Sequence, residues 1–274
     1  MVASTLLLAA TAAGARAQVV VNTFETHVRA SRDSVSATFE VRNTSAAIQQ
    51  VRIFLQDWER DSLGNNKFAD YGTLPRTCGE RVTVFPPTLQ LAAGGSDVIR
   101  VTYRGGDHPD ALEGCWAIAM TEVVRTNESR ATPTRQAVQI QMLQGVKFYV
   151  HPVTPTRAGA VEYAAVEEFW EPVPAPRAAA DSTPRDSVFV RQIAVRFANT
   201  GSDHLTLRAT VEYRDANAQL VTRTELPTAY ITPDGFRDVI TRLPSLPKGR
   251  YSALVLLDIG TDEVQAAQVE FEVP

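Results

Sequence analysis

The sequence has no long apolar run and almost no helical periodicity, and both absences narrow the possible architectures. No segment reaches the roughly 18 uninterrupted apolar residues that a membrane-spanning helix needs, so the sequence predicts no integral membrane segment in the mature chain. Only residues 160–169 allow a helical interpretation. Elsewhere apolar and polar residues alternate, which is the pattern of strands with one buried face. The chain is therefore expected to be all-β.

The sequence also has few residues of the kinds that carry catalysis or bind metal. Its four histidines are scattered, and none is spaced as one of a pair of helical metal ligands or lies in a Cys/His cluster. There is no G-x-S-x-G nucleophile motif and no glycine-rich phosphate loop. The adjacent Glu167 and Glu168 point to opposite faces of a strand, which is poor geometry for a paired acid and base. We therefore expect no enzyme, no metal and no cofactor.

Charge and cysteine content narrow the possible partners and the compartment. The formal net charge of −4 gives no reason to expect nucleic acid as a partner. The sequence has two cysteines, Cys78 and Cys115. In an exported chain a low, even count favours one disulfide, with two free buried thiols as the alternative. Cys78 precedes the fourth predicted strand and Cys115 begins the sixth, so both are expected near the same end of a seven-stranded sandwich.

The first 17 residues have the pattern of a secretory signal peptide. A short apolar run, Leu6 to Ala13, is followed by Ala15 and Ala17, small residues at the two positions that a signal peptidase needs. Cleavage before Gln18 would release a protein of 257 residues from the 274 in the sequence. The alternative is a frayed apolar N-terminus on a cytosolic protein.

Candidate strands divide the remaining chain into two series. The first series has turn signals at the spacing of an immunoglobulin-like sandwich, and its seven strands are Val19–Ala30, Ser34–Asn43, Gln49–Glu59, Arg81–Leu91, Val98–Tyr103, Cys115–Val124 and Ala137–Val150. The second series is predicted at Val161–Trp170, Val188–Phe197, Thr206–Tyr213, Leu220–Arg223, Gly235–Ile240, Arg250–Asp258 and Gln265–Val273. The sequence thus predicts two immunoglobulin-like β-sandwich domains, 18–152 and 153–274.

A segment rich in proline, alanine and aspartate, near residues 172–187, interrupts the second series. Such a composition has too little apolar surface to order itself. We interpret it as an exposed loop inside the second domain, after the strand Val161–Trp170. The alternative is an interdomain linker, with the domain boundary near residue 187.

The stretch from Arg135 to Pro152 is the most informative part of the chain. Val138, Ile140 and Met142 alternate with glutamines, which predicts a strand with one apolar face. Lys147 then lies between the apolar Val146 and Phe148. A strand with an apolar row at one end and a cation near the other suggests a strand that is lent to a partner and anchored by the cation.

Several motifs in the first predicted domain resemble the periplasmic chaperones of the chaperone–usher pilus pathway, across roughly Val19 to Pro152. The chain has Phe39-Glu40-Val41-Arg42-Asn43 before a turn, Val84-Phe85-Pro86-Pro87 followed by Leu89, Leu91, Gly94 and Val98-Ile99-Arg100-Val101, and Glu113-Gly114-Cys115-Trp116. The clearest match is Lys147-Phe148-Tyr149-Val150-His151-Pro152, because the family has a lysine, apolar or aromatic residues and a proline at the same distances.

The resemblance implies a mechanism, partners and a compartment. Such chaperones work in the periplasm, bind incomplete pilin-like subunits by donor-strand complementation and deliver them to an outer-membrane usher. The donor side chains here would be Val138, Ile140, Met142 and Val146. Lys147 would anchor the carboxylate of the subunit's C-terminus. The family's second cation is an arginine of the first strand; its position matches His27, and Arg29 is the alternative.

A second hypothesis explains the same strand pattern without a client. Two sandwich modules also build secreted or cell-surface adhesive and structural proteins. In such a protein the alternation at residues 138–142 would belong to an ordinary half-buried strand, and Lys147 would be a solvated side chain.

Overall fold

The structure, a computed structural model, describes residues 18–124, 143–172, 187–261 and 264–274. The predicted signal peptide 1–17 and the predicted donor residues Val138, Ile140 and Met142 lie outside these ranges. Within them the protein is all-β, as predicted, and its only helical element is a 3-10 turn at Gly79–Arg81. The residues 160–169, where a helix was conceivable, form part of a strand instead.

In the described ranges the first sandwich has ten strands, and they follow the predicted series closely. They are β1 (Val19–Val21), β2 (Glu25–Arg29), β3 (Ser34–Asn43), β4 (Gln49–Arg60), β5 (Asn66–Ala69), β6 (Val82–Phe85), β7 (Thr88–Leu91), β8 (Ser96–Arg104), β9 (Cys115–Val124) and β10 (Leu143–His151). One sheet has the order β1-β3-β8-β6, and the other has β2-β10-β9-β4-β5, with β7 paired to β4.

Three differences from the predicted strands concern turns. The predicted strand Arg81–Leu91 is two strands, β6 and β7, which are separated by Pro86 and Pro87 and pair with β8 and β4 in different sheets. The predicted strand Val19–Ala30 is two strands, because the chain crosses from one sheet to the other between β1 and β2. β5 was not predicted; it follows directly on a polar turn and pairs with the end of β4.

Strands β2 and β10 pair in parallel, with Lys147 opposite Glu25 and Tyr149 opposite His27. This pairing places the N-terminal strand beside the last strand of the sandwich.

The described part of the second sandwich has eight strands. They are β11 (Gly159–Pro172), β12 (Ser187–Asn199), β13 (Leu205–Asp215), β14 (Leu220–Glu225), β15 (Ala229–Ile231), β16 (Phe236–Arg242), β17 (Gly249–Asp258) and β18 (Gln265–Val273). One sheet has the order β11-β12-β16 and the other β14-β13-β17-β18, with β15 paired to β13. β15 is a short strand that the sequence analysis missed.

Each sandwich has its own apolar core. The first is built around fully buried Phe39, Ile99 and Phe148, and the second around Ile193, Phe197 and Leu257. The predicted domain limit after Pro152 stays a prediction, although it falls between these cores. β11 and β12 pair along their whole length, with Pro172 opposite Ser187. The Pro/Ala-rich segment therefore joins two neighbouring strands of the second sandwich, while residues 173–186 themselves lie outside the described ranges.

The predicted disulfide is confirmed. Cys78 and Cys115 are bonded, with Cα atoms 5.0 Å apart, and both are fully buried in the first core. Cys78 lies just before the 3-10 turn and β6 in one sheet, and Cys115 begins β9 in the other. The backbone N–H of Cys78 also donates to the carbonyl of Trp116 at 3.2 Å. The bond thus joins the two sheets at one end of the sandwich.

Removing the disulfide should destabilise the first sandwich. The two cysteines are 37 residues apart, and the loop-closure entropy of such a crosslink corresponds to about 4 kcal/mol. We expect the double variant Cys78→Ser/Cys115→Ser to lose free energy of unfolding of this order in urea titrations. Reduction of the wild type should give a similar loss, and an unchanged unfolding midpoint in both cases would contradict the assignment.

Candidate functional site in the cleft between the sandwiches

The alternation of side chains along β10 creates the candidate site. Val146, Phe148 and Val150 point inward and are completely buried in the first core. Lys147 and Tyr149 therefore point to the opposite face of the sheet. Since residues paired across neighbouring strands share a face, the parallel pairing with β2 places Glu25, His27 and Arg29 beside them.

The second sandwich lies against this outer face. The ring of His204 packs edge-on against Tyr149, with centroids 4.3 Å apart, and against Trp116 at 5.1 Å. His151 Nδ1 lies 2.7 Å from Asp203 Oδ1. Two further contacts join the sandwiches at the turn after β4, where the Asp238 N–H donates to the Ser62 carbonyl at 2.7 Å, and the Arg237 guanidinium donates to the same oxygen at 3.4 Å. These contacts leave a narrow cleft between the sandwiches.

Lys147 lies at the edge of this cleft, whose walls include Trp58 and Arg60, and no anionic side chain of the described ranges lies within hydrogen-bond distance of it. Its Nζ atom lies 4.4 Å from the centroid of the Trp58 indole ring, a cation–π contact. Burial, and to a smaller extent the nearby positive charge of Arg60, lower the pKa of Lys147 to about 8, while Glu25 opposes the shift. Among the described residues, Lys147 makes no side-chain hydrogen bond or ion pair. Such an ammonium is favourably placed to receive a carboxylate.

A second cation of the cleft, Arg60, was missed by the sequence analysis. Its guanidinium carbon lies 5.8 Å from the centroid of the Trp58 ring and 5.4 Å from that of Tyr230 in the second sandwich. In the part of the chain that the structure describes, the Arg60 side chain has no hydrogen bond or ion pair. No sequence pattern around Arg60, at the end of β4, indicated a binding residue. Arg60 comes near Lys147 only through the order of the strands in the sheet and the packing of the second sandwich.

The two predicted partners of Lys147 are engaged elsewhere. His27 Nδ1 lies 2.9 Å from His151 Nε2, and its ring stacks on Tyr149. Arg29 donates to the carbonyls of Pro152 and Val153, at 3.4 and 2.9 Å. It lies opposite His151, four residues along β10 from Lys147, which corresponds to on the order of 13 Å.

The first described residues of β10 show how the predicted donor segment joins the sandwich. Val146, predicted as the donor residue nearest the anchor, is completely buried in the chain's own core and is not presented at the surface. The side-chain amide of Gln144 accepts from Val21 N–H at 2.9 Å and donates to the Val19 carbonyl at 3.0 Å. Gln144 thus satisfies the backbone of β1 and closes this end of the sandwich.

Among the described residues, no group of three or more His, Cys, Asp or Glu side chains is arranged to hold a metal ion. Nor does any helix in the described ranges have the length and apolarity to cross a membrane.

Residues 20–155 match the family described as pili and flagellar-assembly chaperone, PapD N-terminal domain. This part of the chain belongs to that family. The PapD-type domain contains β1 to β10 and all the cleft residues of the first sandwich. The sequence matches no curated protein.

Solved structures of similar fold include fimbrial chaperones. One, from a study of a chaperone–tip adhesin complex in CFA/I fimbriae biogenesis, is 12% identical with a TM-score of 0.53, covering 93% of this chain and 98% of that one. The class 5 fimbriae chaperone CfaA is 14% identical with a TM-score of 0.51, covering 93% and 99%. At these identities the likeness shows the fold alone. It extends the two-sandwich architecture beyond the PapD-type domain to nearly the whole chain.

The lowered pKa of Lys147 can be measured against the other two lysines, Lys67 and Lys248. We expect amine acylation, followed by mass spectrometry across pH, to give a midpoint near 8 for Lys147. Arg60→Gln should move that midpoint upward, because it removes a positive charge. Glu25→Gln should move it downward, because it removes the opposing negative charge. A midpoint for Lys147 equal to that of Lys248 would contradict this account of the cleft.

Proposed function

We propose that the protein is a periplasmic chaperone that binds pilin-like subunits and caps them by donor-strand complementation. The observation that carries the proposal is Lys147, half-buried beside the cleft of a PapD-type domain, with no carboxylate of the described residues within hydrogen-bond distance. A half-buried ammonium without a counter-ion costs stability, and a binding site for an anion explains why it is present. The C-terminal carboxylate of a subunit has the required charge and size.

In this proposal Lys147 and Arg60 together hold the carboxylate. Both cations flank the Trp58 ring, and bonds from ammonium and guanidinium groups to a carboxylate are short and strong. Arg60 takes the role expected of His27 or Arg29, whose side chains hydrogen-bond to His151 and to backbone carbonyls. Because the pKa of Lys147 is about 8, its amine is mostly charged at neutral pH. The site therefore attracts an anion at neutral pH.

The proposed donor row follows from the alternation of β10. Val138, Ile140 and Met142 are separated from the buried Val146 by even numbers of residues, so a continuous strand would present them on the same face. Leu143, the first residue of β10, lies opposite Glu122 of β9, and β9 ends at Val124. If β10 continued from Leu143 toward the donor row, it would therefore soon pass the end of β9. An added strand binds through its main chain and fills pockets with alternate side chains.

The family and the predicted signal peptide support a periplasmic location and an outer-membrane usher as the second partner. Chaperones of the chaperone–usher pathway are periplasmic, and the predicted signal peptide supports export. A buried disulfide fits an oxidising compartment. An outer-membrane usher is accordingly the proposed recipient of the bound subunit. No residue of the cleft supports an enzymatic role in this scheme.

Co-export with a candidate pilin-like subunit tests the proposal. We expect wild-type chaperone to co-purify with the subunit. Ile140→Asp should abolish this complex because it places a charge in an apolar pocket, and Lys147→Glu and Arg60→Glu should abolish it because they repel the carboxylate. The matched controls are Gln139→Asp, on the other face of the donor strand, and Arg29→Glu.

The outcome distinguishes the two functional hypotheses. Both controls should keep the complex, and all variants should keep the unfolding midpoint close to that of the wild type. Retention of the subunit by both Ile140→Asp and Lys147→Glu would contradict strand donation and leave the two-module structural protein as the better explanation. Loss of binding in Arg29→Glu but not in Arg60→Glu would assign the second cation to Arg29.

A further inference from the structure

Gln144 is the one polar residue in an otherwise apolar row that runs through the proposed donor segment and β10. The row takes every second residue of the sequence: Val138, Ile140, Met142, Gln144, Val146, Phe148 and Val150. Its last three members fill the core of the first sandwich, and its first three are the proposed donors. Gln144 therefore lies at the boundary between the part of the row that the protein keeps and the part that it is proposed to lend.

The edge of β1 holds the side chain of Gln144. β1 is the outermost strand of its sheet, and the main chains of Gln18 and Asn22, on either side of it, bond to β3 and the residue after β3. Since peptide groups alternate in direction along an antiparallel strand, the carbonyl of Val19 and the N–H of Val21 point away from β3. The Gln144 carboxamide occupies both groups, accepting from Val21 at 2.9 Å and donating to Val19 at 3.0 Å.

The main chain of Gln144 is held as well. Thr121 of β9 lies opposite Gln144, and its hydroxyl donates to the Gln144 carbonyl at 3.1 Å. Moving the Gln144 side chain elsewhere would take both bonds from β1, and leaving such groups unpaired costs more than the net value of the bonds. Placing the carboxamide in an apolar pocket would be unfavourable a second time. Gln144 is therefore expected to stay with its own sandwich when a subunit binds.

An alternating donor strand leaves one pairing error open, which is a slip of two residues. A slip of one residue turns the whole apolar row to the wrong face and is strongly disfavoured. A slip of two residues, about 7 Å along the strand, keeps every side chain on its face. Toward the cleft, such a slip would bring Gln144 into the subunit pocket that otherwise receives Met142. At the far end of the donor row, position 136 is also a glutamine.

We propose that Gln144 is a positioning residue that sets the register of a bound subunit, because its bonds to β1 exclude it from the subunit's groove. This inference rests on the proposed strand donation. It specifies the kind of subunit that fits, one whose groove has three successive apolar pockets, for positions 138, 140 and 142, and no fourth pocket toward the cleft. Lys147 holds the end of the subunit, and Gln144 opposes the two-residue slip that alternation alone would allow.

Amide hydrogen exchange of the wild-type protein, alone and in complex with a co-exported pilin-like subunit, tests whether Gln144 stays on β1. We expect the Val21 amide to be protected in both states, and to exchange no faster in the complex. Exchange that is tenfold or more faster in the complex would show that Gln144 has left β1 and would overturn the proposal. This measurement needs no variant to fold.

Crosslink mapping tests the register itself. A photoreactive residue at position 140 should reach a single position of the subunit when Gln144 is present. Gln144→Met should add a second crosslinked position, two residues away, because methionine completes the apolar row. Gln144→Glu should keep the single position, since a carboxylate is excluded from an apolar groove as well. The matched control is Gln141→Met, on the other face, which should also keep the single position.

The pair of Gln144 variants separates this role from a purely structural one. Each variant loses at least one bond to β1, so the folding constant of each should fall several-fold. A structural role alone predicts the same crosslinks in both. A single crosslinked position in Gln144→Met would overturn this inference and leave strand donation intact. Absence of any crosslink from position 140 with Gln144 present would overturn strand donation, and the inference with it.

Discussion

The alternation of side chains along β10 is the constraint on which the rest of the structure depends. Its inward residues, Val146, Phe148 and Val150, complete the core of the first sandwich. The same geometry obliges Lys147 and Tyr149 to face outward. A shift of one residue in the pairing would place the ammonium in the core and the aromatic ring of Phe148 in the cleft. Core packing and site geometry are therefore determined together.

The second sandwich changes the chemistry of this outward face. Alone, the first sandwich would leave Lys147 and Arg60 more exposed to water, where like charges interact weakly. With His204 and Tyr230 packed nearby, burial and the charge of Arg60 lower the pKa of Lys147. The cost of holding two cations together in this cleft is offset when an anion binds. The packing of the two sandwiches thus makes Lys147 a candidate anchor for an anion.

The fold was largely predictable from the sequence, whereas the site was predictable only in part. Alternation is a local signal, so the strands followed from it. The disulfide between Cys78 and Cys115 was favoured by the low, even cysteine count of a chain with a predicted signal peptide. Lys147 was found because a short motif surrounds it. Arg60 was missed because its role depends on which strands become neighbours and on the second sandwich. The bond between His27 and His151 depends equally on the parallel pairing of β2 and β10, which no local pattern indicates.

The central claim is that the residues before β10 present one face to a subunit, and site-specific photo-crosslinking tests this directly. A photoreactive residue at position 138, 140 or 142 should crosslink to a co-exported pilin-like subunit. The same residue at position 139 or 141, on the other face, should crosslink far less. Equal crosslinking at odd and even positions, or none at any position in a subunit-bound preparation, would contradict strand donation by this chain.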